Sequence, residues 1–404
     1  MQRKLNLHYA AVNGIYWMYY GIIASFASAF LLWRGFGNAQ IGFIAALGNL
    51  AAVLIQPFLA NLADKDGRLS VFALTEILTL VLALLSTGLF FCQRADFLTA
   101  ALFVSAFALT MIIQPFCNAL YPKLEETGYI IRFGLCRGFG SFSYSVFMIL
   151  LALLTAHFSM GILPLAGLSI LLIFFYILRR TSDLYRQSMT RQKKDGGASG
   201  LGGRNAEVDF SAFVRRHRFF ILSGAGVLGV FFSNAVLNIY MAQIVYNVGG
   251  TEGEIGYICS LFGFMELPAL LLFDRLTRRF STAGMIRFAS LAFAVRMLVC
   301  LMARSMGVLV LATLVQPFSF ALFLPAMVKF INEIMSVRES VRGQSFFTMT
   351  MTAAVIFAGL VGGLLIDRGG VRSLLLFATA VTLLGALLLF FTLGRAAREG
   401  GPRR

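Results

Sequence analysis

The sequence predicts an all-α integral membrane protein with twelve transmembrane helices in two pseudo-symmetric six-helix bundles. Three observations predict it: long apolar runs, a lopsided distribution of basic residues, and an internal repeat. Of 404 residues, 59% are hydrophobic and 13% charged, with a mean hydropathy of +0.82. Soluble domains carry about 25% charged residues. A bilayer core is spanned by roughly 20 apolar residues of helix, and helix is required because lipid offers backbone polar groups no partner.

In chain order the apolar runs are Ala10 to Trp33, Ile41 to Ala63, Val71 to Phe91, Phe97 to Tyr121, Gly138 to Phe158 and Gly161 to Leu178. After a polar stretch come Phe219 to Ile244, Ile255 to Phe273, Ala283 to Met302, Gly307 to Ile331, Phe346 to Ile366 and Ser373 to Leu393. The domains expected are a first bundle over 1–178, a cytoplasmic basic and glycine-rich linker over 179–218 containing RQKKDGGASGLGG, and a second bundle with a short cytoplasmic tail over 219–404. Glycine and charge make that linker flexible.

Short basic loops resist translocation. With the N-terminus inside, 27 of the 34 Lys and Arg fall on the cytoplasmic side, 5 outside (Arg34, Arg94, Arg304, Arg368, Arg372), and 2 (Arg137, Arg296) within helices. Both termini are therefore expected in the cytoplasm of a multi-pass protein of the plasma membrane, a bacterial-type cell membrane. The net charge of +16 reads as topology and lipid-headgroup contact, not as a nucleic-acid surface. The first run exceeds a signal peptide's apolar core in length, with no small-residue cleavage site to close it, and is expected to stay as the first helix. Five cysteines (Cys92, Cys117, Cys136, Cys259, Cys300) lack paired spacing, so no disulfide or metal site is expected. His8, His157 and His217 lie near helix ends and read as interfacial residues. Gly362-Gly363 and Gly369-Gly370 lack a P-loop's lysine. They read as close helix contact and a turn, and no cofactor is expected.

The repeat pairs Gln114-Pro115-Phe116-x-x-Ala119-Leu120 in the fourth run with Gln316-Pro317-Phe318-x-x-Ala321-Leu322 in the tenth. Ile41-Gly42-Phe43 opens the second run, as Ile255-Gly256-Tyr257 opens the eighth. Duplicated halves are a transporter pattern.

Charge inside the runs supplies the candidate site. Glu266 and Arg296 lie deep in apolar segments, where an ionised side chain costs roughly 3 kcal/mol or more unless paired. Glu266 is the acidic residue nearest the middle of a run, with Glu76 about five residues inside the third. Glu266 is the default proton carrier, since a desolvated carboxyl shifts between neutral and ionised as a cation or substrate comes and goes. The alternative is a static ion pair with Arg296 or Arg137. The two arginines suit a carboxylate or phosphate by bidentate bonds, or equally sugar hydroxyls. Asn13, Trp17 and Tyr20 in the first run, Gln114 and Asn118 in the fourth, Asn234 and Asn238 in the seventh, and Gln316 in the tenth are further substrate-binding candidates. Interhelical packing is the other reading for each.

The loop Asn61-Leu62-Ala63-Asp64-Lys65-Asp66-Gly67-Arg68 resembles the cytoplasmic motif of the major facilitator superfamily, with Asn61 where that family prefers Gly. Asp274-Arg275 follows the eighth run in the same way. The resemblance implies a conformational latch at Asp64, Lys65, Gly67, Arg68, Asp274 and Arg275. Within the superfamily the chain is similar to the lactose permease and phenylpropionate permease-like branch of proton symporters. Pro115-Phe116-Cys117-Asn118-Ala119-Leu120, Arg132 to Ser141, Met265-Glu266-Leu267-Pro268 and Ala294-Val295-Arg296 carry that similarity. It implies substrate binding by Arg137 and proton coupling by Glu266 and Arg296, with helices one, four, seven and ten lining the pathway. Asn118 replaces the branch's acidic residue, and Gln316 and Ser319 stand where its helix ten has His and Glu, so its whole proton relay is not copied.

The function expected is secondary active transport of a small polar organic solute (a sugar, nucleoside or aromatic acid) by alternating access with proton symport. The partners expected are substrate, protons and the bilayer, for a monomer that is not an enzyme. The rivals are a proton-independent facilitator or exporter of this fold, a non-transporting sensor, and a lipid-handling membrane enzyme. The last would need an interfacial His, Asp or Glu cluster.

Overall fold

The computed structural model describes residues 1–64, 70–194 and 210–400. Among them the regular structure is helical. The first apolar run forms α1 (Gln2–Tyr20), a π-helical turn (Gly21–Ser25) and α2 (Ala27–Arg34), bent by 44° at Phe26. Then follow α3 (Asn38–Asp64), α4 (Val71–Phe91), α5 (Phe97–Glu125), α6 (Phe133–Phe158) and α7 (Leu163–Lys194). The second part comprises α8 (Phe210–Arg216), α9 (Arg218–Ile239), α10 (Met241–Asn247), α11 (Glu252–Arg279), α12 (Thr282–Met302), α13 (Met306–Thr313), α14 (Phe320–Ile334) and α15 (Val337–Gly400).

Each expected run lies on these elements, yet length and apolarity pick out 9 single membrane-crossing helices among the described residues, or 10 with the bent first pair. The shortfall from twelve has two causes. The tenth run is interrupted between α13 and α14, and the eleventh and twelfth fuse into α15. A non-helical pair, Gly369 and Gly370, divides α15; Gly370 has φ of +70°, a conformation glycine adopts without cost. The polar stretch after Leu178 starts as helix, since α7 continues to Lys194.

Helix starts are set by local chemistry. The Ser70 hydroxyl accepts from Ala73 N (3.1 Å), Asp96 Oδ1 from Thr99 N (2.8 Å), and the Ser281 hydroxyl from Gly284 N (3.2 Å). Large apolar side chains such as Phe58, Leu84, Leu271 and Phe391 point outward, as a lipid-facing surface requires.

The chain divides into two compact units. One gathers Met1–Phe36, Leu47–Gly203 and Glu252–Gly263; the other Gly37–Ala46, Arg204–Thr251 and Phe264–Arg404. In the first, α1 packs along α6 and α7, and α4 against α5 and α7. In the second, α9 and α12 pack along α15, around an aromatic core of Phe231, Phe293, Phe323 and Phe347.

Candidate functional site

In the first unit, α1 and α6 bring four candidate residues together. Asn13 is buried, and its Nδ2 donates to the carbonyl of buried Tyr9 (2.9 Å). One turn on, the half-buried indole of Trp17 carries the Arg137 guanidinium over its ring at 4.4 Å. Trp17 also packs on Tyr20 (centroids 4.8 Å apart) and, edge to face, on Tyr16 (5.6 Å). Tyr16 is anchored in turn, its hydroxyl donating to the Thr110 carbonyl (3.0 Å). Arg137 reaches Ser141 Oγ with Nη1 at 3.5 Å and lies within electrostatic reach of Tyr9 and Tyr16. Gly140 makes the stack possible: a Cβ there would lie 2.7 Å from Trp17 Cδ1. The result is a guanidinium held over an aromatic face, with donors able to reach a substrate oxygen.

Gln114 and Asn118 sit one turn apart on α5, half-buried and exposed respectively. Among the described residues no hydrogen bond or ring contact joins either to that stack.

In the second unit Arg296 is the largest fully buried side chain, 1% exposed, on α12. Half-buried Glu266 on α11 lies within its electrostatic reach. The sequence's two deepest charges are therefore neighbours, as burial of charge demands. Gln316 sits in the break between α13 and α14, 4% exposed, with its Oε1 lacking a hydrogen-bond partner among the described residues. The buried Ser319 hydroxyl closes the break by donating to the carbonyls of Val315 (3.2 Å) and Gln316 (3.3 Å). Asn234 is half-buried and Asn238 exposed; Asn238 Nδ2 donates to the Asn234 carbonyl one turn back (2.8 Å). That bond is internal to α9 and favours the packing reading for Asn238.

Of the latch residues, Lys65, Gly67 and Arg68 lie outside the described residues, and Asp64 is the last residue of α3. Asp274 and Arg275 are exposed in the last turns of α11.

The structure adds polar pairs that sequence reasoning missed. Glu76 on α4 meets Arg179 on α7 at 3.1 Å. His217, read as interfacial, is 2% exposed, with Nε2 3.5 Å from Glu339 Oε1 and its ring 5.1 Å from Phe213. Asp367 binds the start of α3 through Asn38 and Ala39. Glu76 within an apolar run was a usable signal; the partners of the others are remote in sequence and left none.

The match of residues 9–377 to a family model places this helical membrane protein in the major facilitator superfamily, a class of transporters and not of enzymes. The family matched is described as the MFS_1 like family, and the chain belongs to it. It is 24% identical over 376 residues to the maltose permease of Geobacillus stearothermophilus, covering 91% of this chain and 89% of that protein. Among solved structures it resembles the nucleoside transporter NupG (TM-score 0.75, 17% identity, 95% of this chain and 98% of that one). It also resembles a bacterial homologue of the iron transporter ferroportin in an inward-facing state (TM-score 0.68, 17% identity, 97% and 99%).

Proposed function

We propose that this protein is a secondary transporter of a small polar, hydroxyl-rich solute, a sugar foremost and a nucleoside next, moved across the plasma membrane by alternating access with proton symport. The observation that carries the reading is the Arg137 guanidinium laid over the Trp17 ring (4.4 Å) inside the first unit. A flat fork of donors beside aromatic rings suits a solute with several oxygens and an apolar face. The relation to a maltose permease and the likeness to a nucleoside transporter point to the same substrate class.

Arg137, Trp17, Tyr20 and Asn13 are the substrate contacts this reading favours, with Gln114, Asn118, Asn234, Asn238 and Gln316 as further candidates. Glu266 carries the proton and Arg296 biases its release, because a cation beside a desolvated carboxyl sets its protonation. Asp64, Lys65, Gly67, Arg68, Asp274 and Arg275 act as a cytoplasmic latch. The chain works as a monomer of two six-helix halves with both termini in the cytoplasm.

The test is reconstitution in liposomes holding a pH-sensitive dye, with maltose, other sugars, nucleosides and aromatic acids added in turn. Substrate-induced proton movement is expected for a sugar and should vanish in Glu266→Gln, while substrate exchange persists. Accumulation unchanged in Glu266→Gln would remove the coupling role. A second reading, proton-independent facilitation, rests on Gln316 and Ser319, neither of them titratable, standing in the tenth run where the resembled branch has His and Glu; sugar flux with no pH change would establish it.

A further inference from the structure

We propose that Asp367 is a charged latch that fastens the first turn of α3 to α15, and that its release is a step of transport; the second clause rests on the transport reading above. Both carboxylate oxygens are engaged. Oδ1 accepts from Asn38 Nδ2 (2.9 Å), and Oδ2 from the backbone N–H of Ala39 (3.0 Å). The second bond takes up a backbone donor that the first turn of a helix leaves without an intrahelical partner, where negative charge is favoured. Asn38 is itself steered, its Oδ1 accepting from Gln243 Nε2 (3.1 Å) on α10.

What surrounds these bonds explains why they matter. The seam beneath them is made of small residues: Ala39, Gly42 and Ala46 on α3 against Gly359 and Gly363 on α15. A Cβ at Gly359 would lie 2.6 Å from the Gly42 carbonyl, and one at Gly363 2.6 Å from Ala39 Cα. Tyr240 completes the seam by donating its hydroxyl to the Gly359 carbonyl (2.8 Å). Backbones this close gain dispersion energy but interlock few side chains, so the seam parts without unpacking large apolar groups. Directional restraint falls to the polar bonds, and a carboxylate accepting two N–H groups is the strongest of them.

The place of the latch in the chain gives it reach. Residues 37–46 pack with the second unit, whereas α3 from Leu47 onward belongs to the first. Asp367 thus grips the one end of α3 that lies outside the unit holding the rest of that helix.

The test uses the full chain with its five native cysteines replaced and one reporter, Ile41→Cys, on the latched turn. Ile41 is 1% exposed, so a membrane-impermeant maleimide reacts with the reporter only when that turn lifts. Asp367→Asn keeps the shape and removes the charge, and is expected to raise the labelling rate about tenfold, the size of one charge-assisted bond. Asn38→Ala, which spares Asp367 and the Ala39 bond, is expected to raise it less and serves if Asp367→Asn does not fold. Equal labelling in parent and variants overturns the latch, whatever the flux. Raised labelling with no flux of any sugar or nucleoside in the parent keeps the latch and overturns the transport reading.

Discussion

Arg137 owes its position to packing as much as to charge. Its guanidinium lies on Trp17, and Trp17 is placed by the missing side chain at Gly140. Arg137→Lys keeps the charge but loses the planar fork. Half-saturation for transported sugar is expected to rise about tenfold, the loss of roughly 1.4 kcal/mol of donor geometry, with little change in protein yield. Gly140→Ala should displace the indole and raise the same constant, and Trp17→Phe in that background should recover part of it by relieving the clash. Initial-rate transport across a range of sugar concentrations decides both, and a unique loss of maximal rate would argue for a structural role. Arg137, Trp17 and Tyr20 could each be singled out in the sequence because charge and aromatic groups stand out in apolar runs. Their stacking could not, because it depends on a glycine whose role appears only when α1 and α6 are in contact. Glu266 and Arg296 stood out in the sequence for a plainer reason: charge is rare inside apolar runs.

Elements show how one motif yields two structures. Gln114-Pro115-Phe116 lies within the unbroken α5, whereas Gln316-Pro317-Phe318 lies in the gap between α13 and α14. Proline removes one donor and crowds the preceding turn in both copies. The residue two places after each proline differs: it is Cys117 in α5 and Ser319 in the gap, and the Ser319 hydroxyl binds two of the carbonyls there. A thiol is a weak donor and offers those carbonyls little. Pro317→Ala is expected to extend α14 toward α13 and slow transport. Hydrogen exchange at Ser319 and Phe320 should then fall, while Pro115→Ala leaves exchange in α5 nearly unchanged. The sequence predicted one unbroken helix in each place because apolar content, not hydrogen bonding, marks a span.

The start of α5 makes a pH prediction. The Thr99 backbone N–H holds the Asp96 carboxyl below its ordinary range, aided by the Thr99 side chain. A depressed carboxyl stabilises above its unfolded value, about 3.9, and the contribution is lost as pH falls through the lower folded value. Exchange at Thr99 in wild type should therefore approach that of Asp96→Asn on acidification and lag behind it at neutral pH. A constant difference across that range would exclude the cap as its cause.

At the scale of the molecule, the internal repeat points to two halves, and the packing units follow them except at two short segments. The opening segments of α3 and α11, Gly37–Ala46 and Glu252–Gly263, each pack with the unit formed mainly by the other half of the sequence. Hydropathy reports that a segment crosses the membrane, not what it crosses beside, so this exchange was invisible beforehand. Gly359→Val should be poorly tolerated, since its side chain would meet the Gly42 carbonyl. A fall in melting temperature and in flux together is expected, whereas Gly134→Val, with open space around its Cβ position, should change neither.

The exchanged ends also bear on how the protein could be made in pieces. If the chain is severed in its polar linker and the two fragments are co-expressed, each fragment lacks a strip of surface that only the other supplies: the N-terminal piece carries residues 37–46 that complete the C-terminal packing unit, and the C-terminal piece carries 252–263 that complete the other. Reciprocal debts of this kind are settled only by reassociation. The fragments should co-purify from membranes and be degraded when expressed singly.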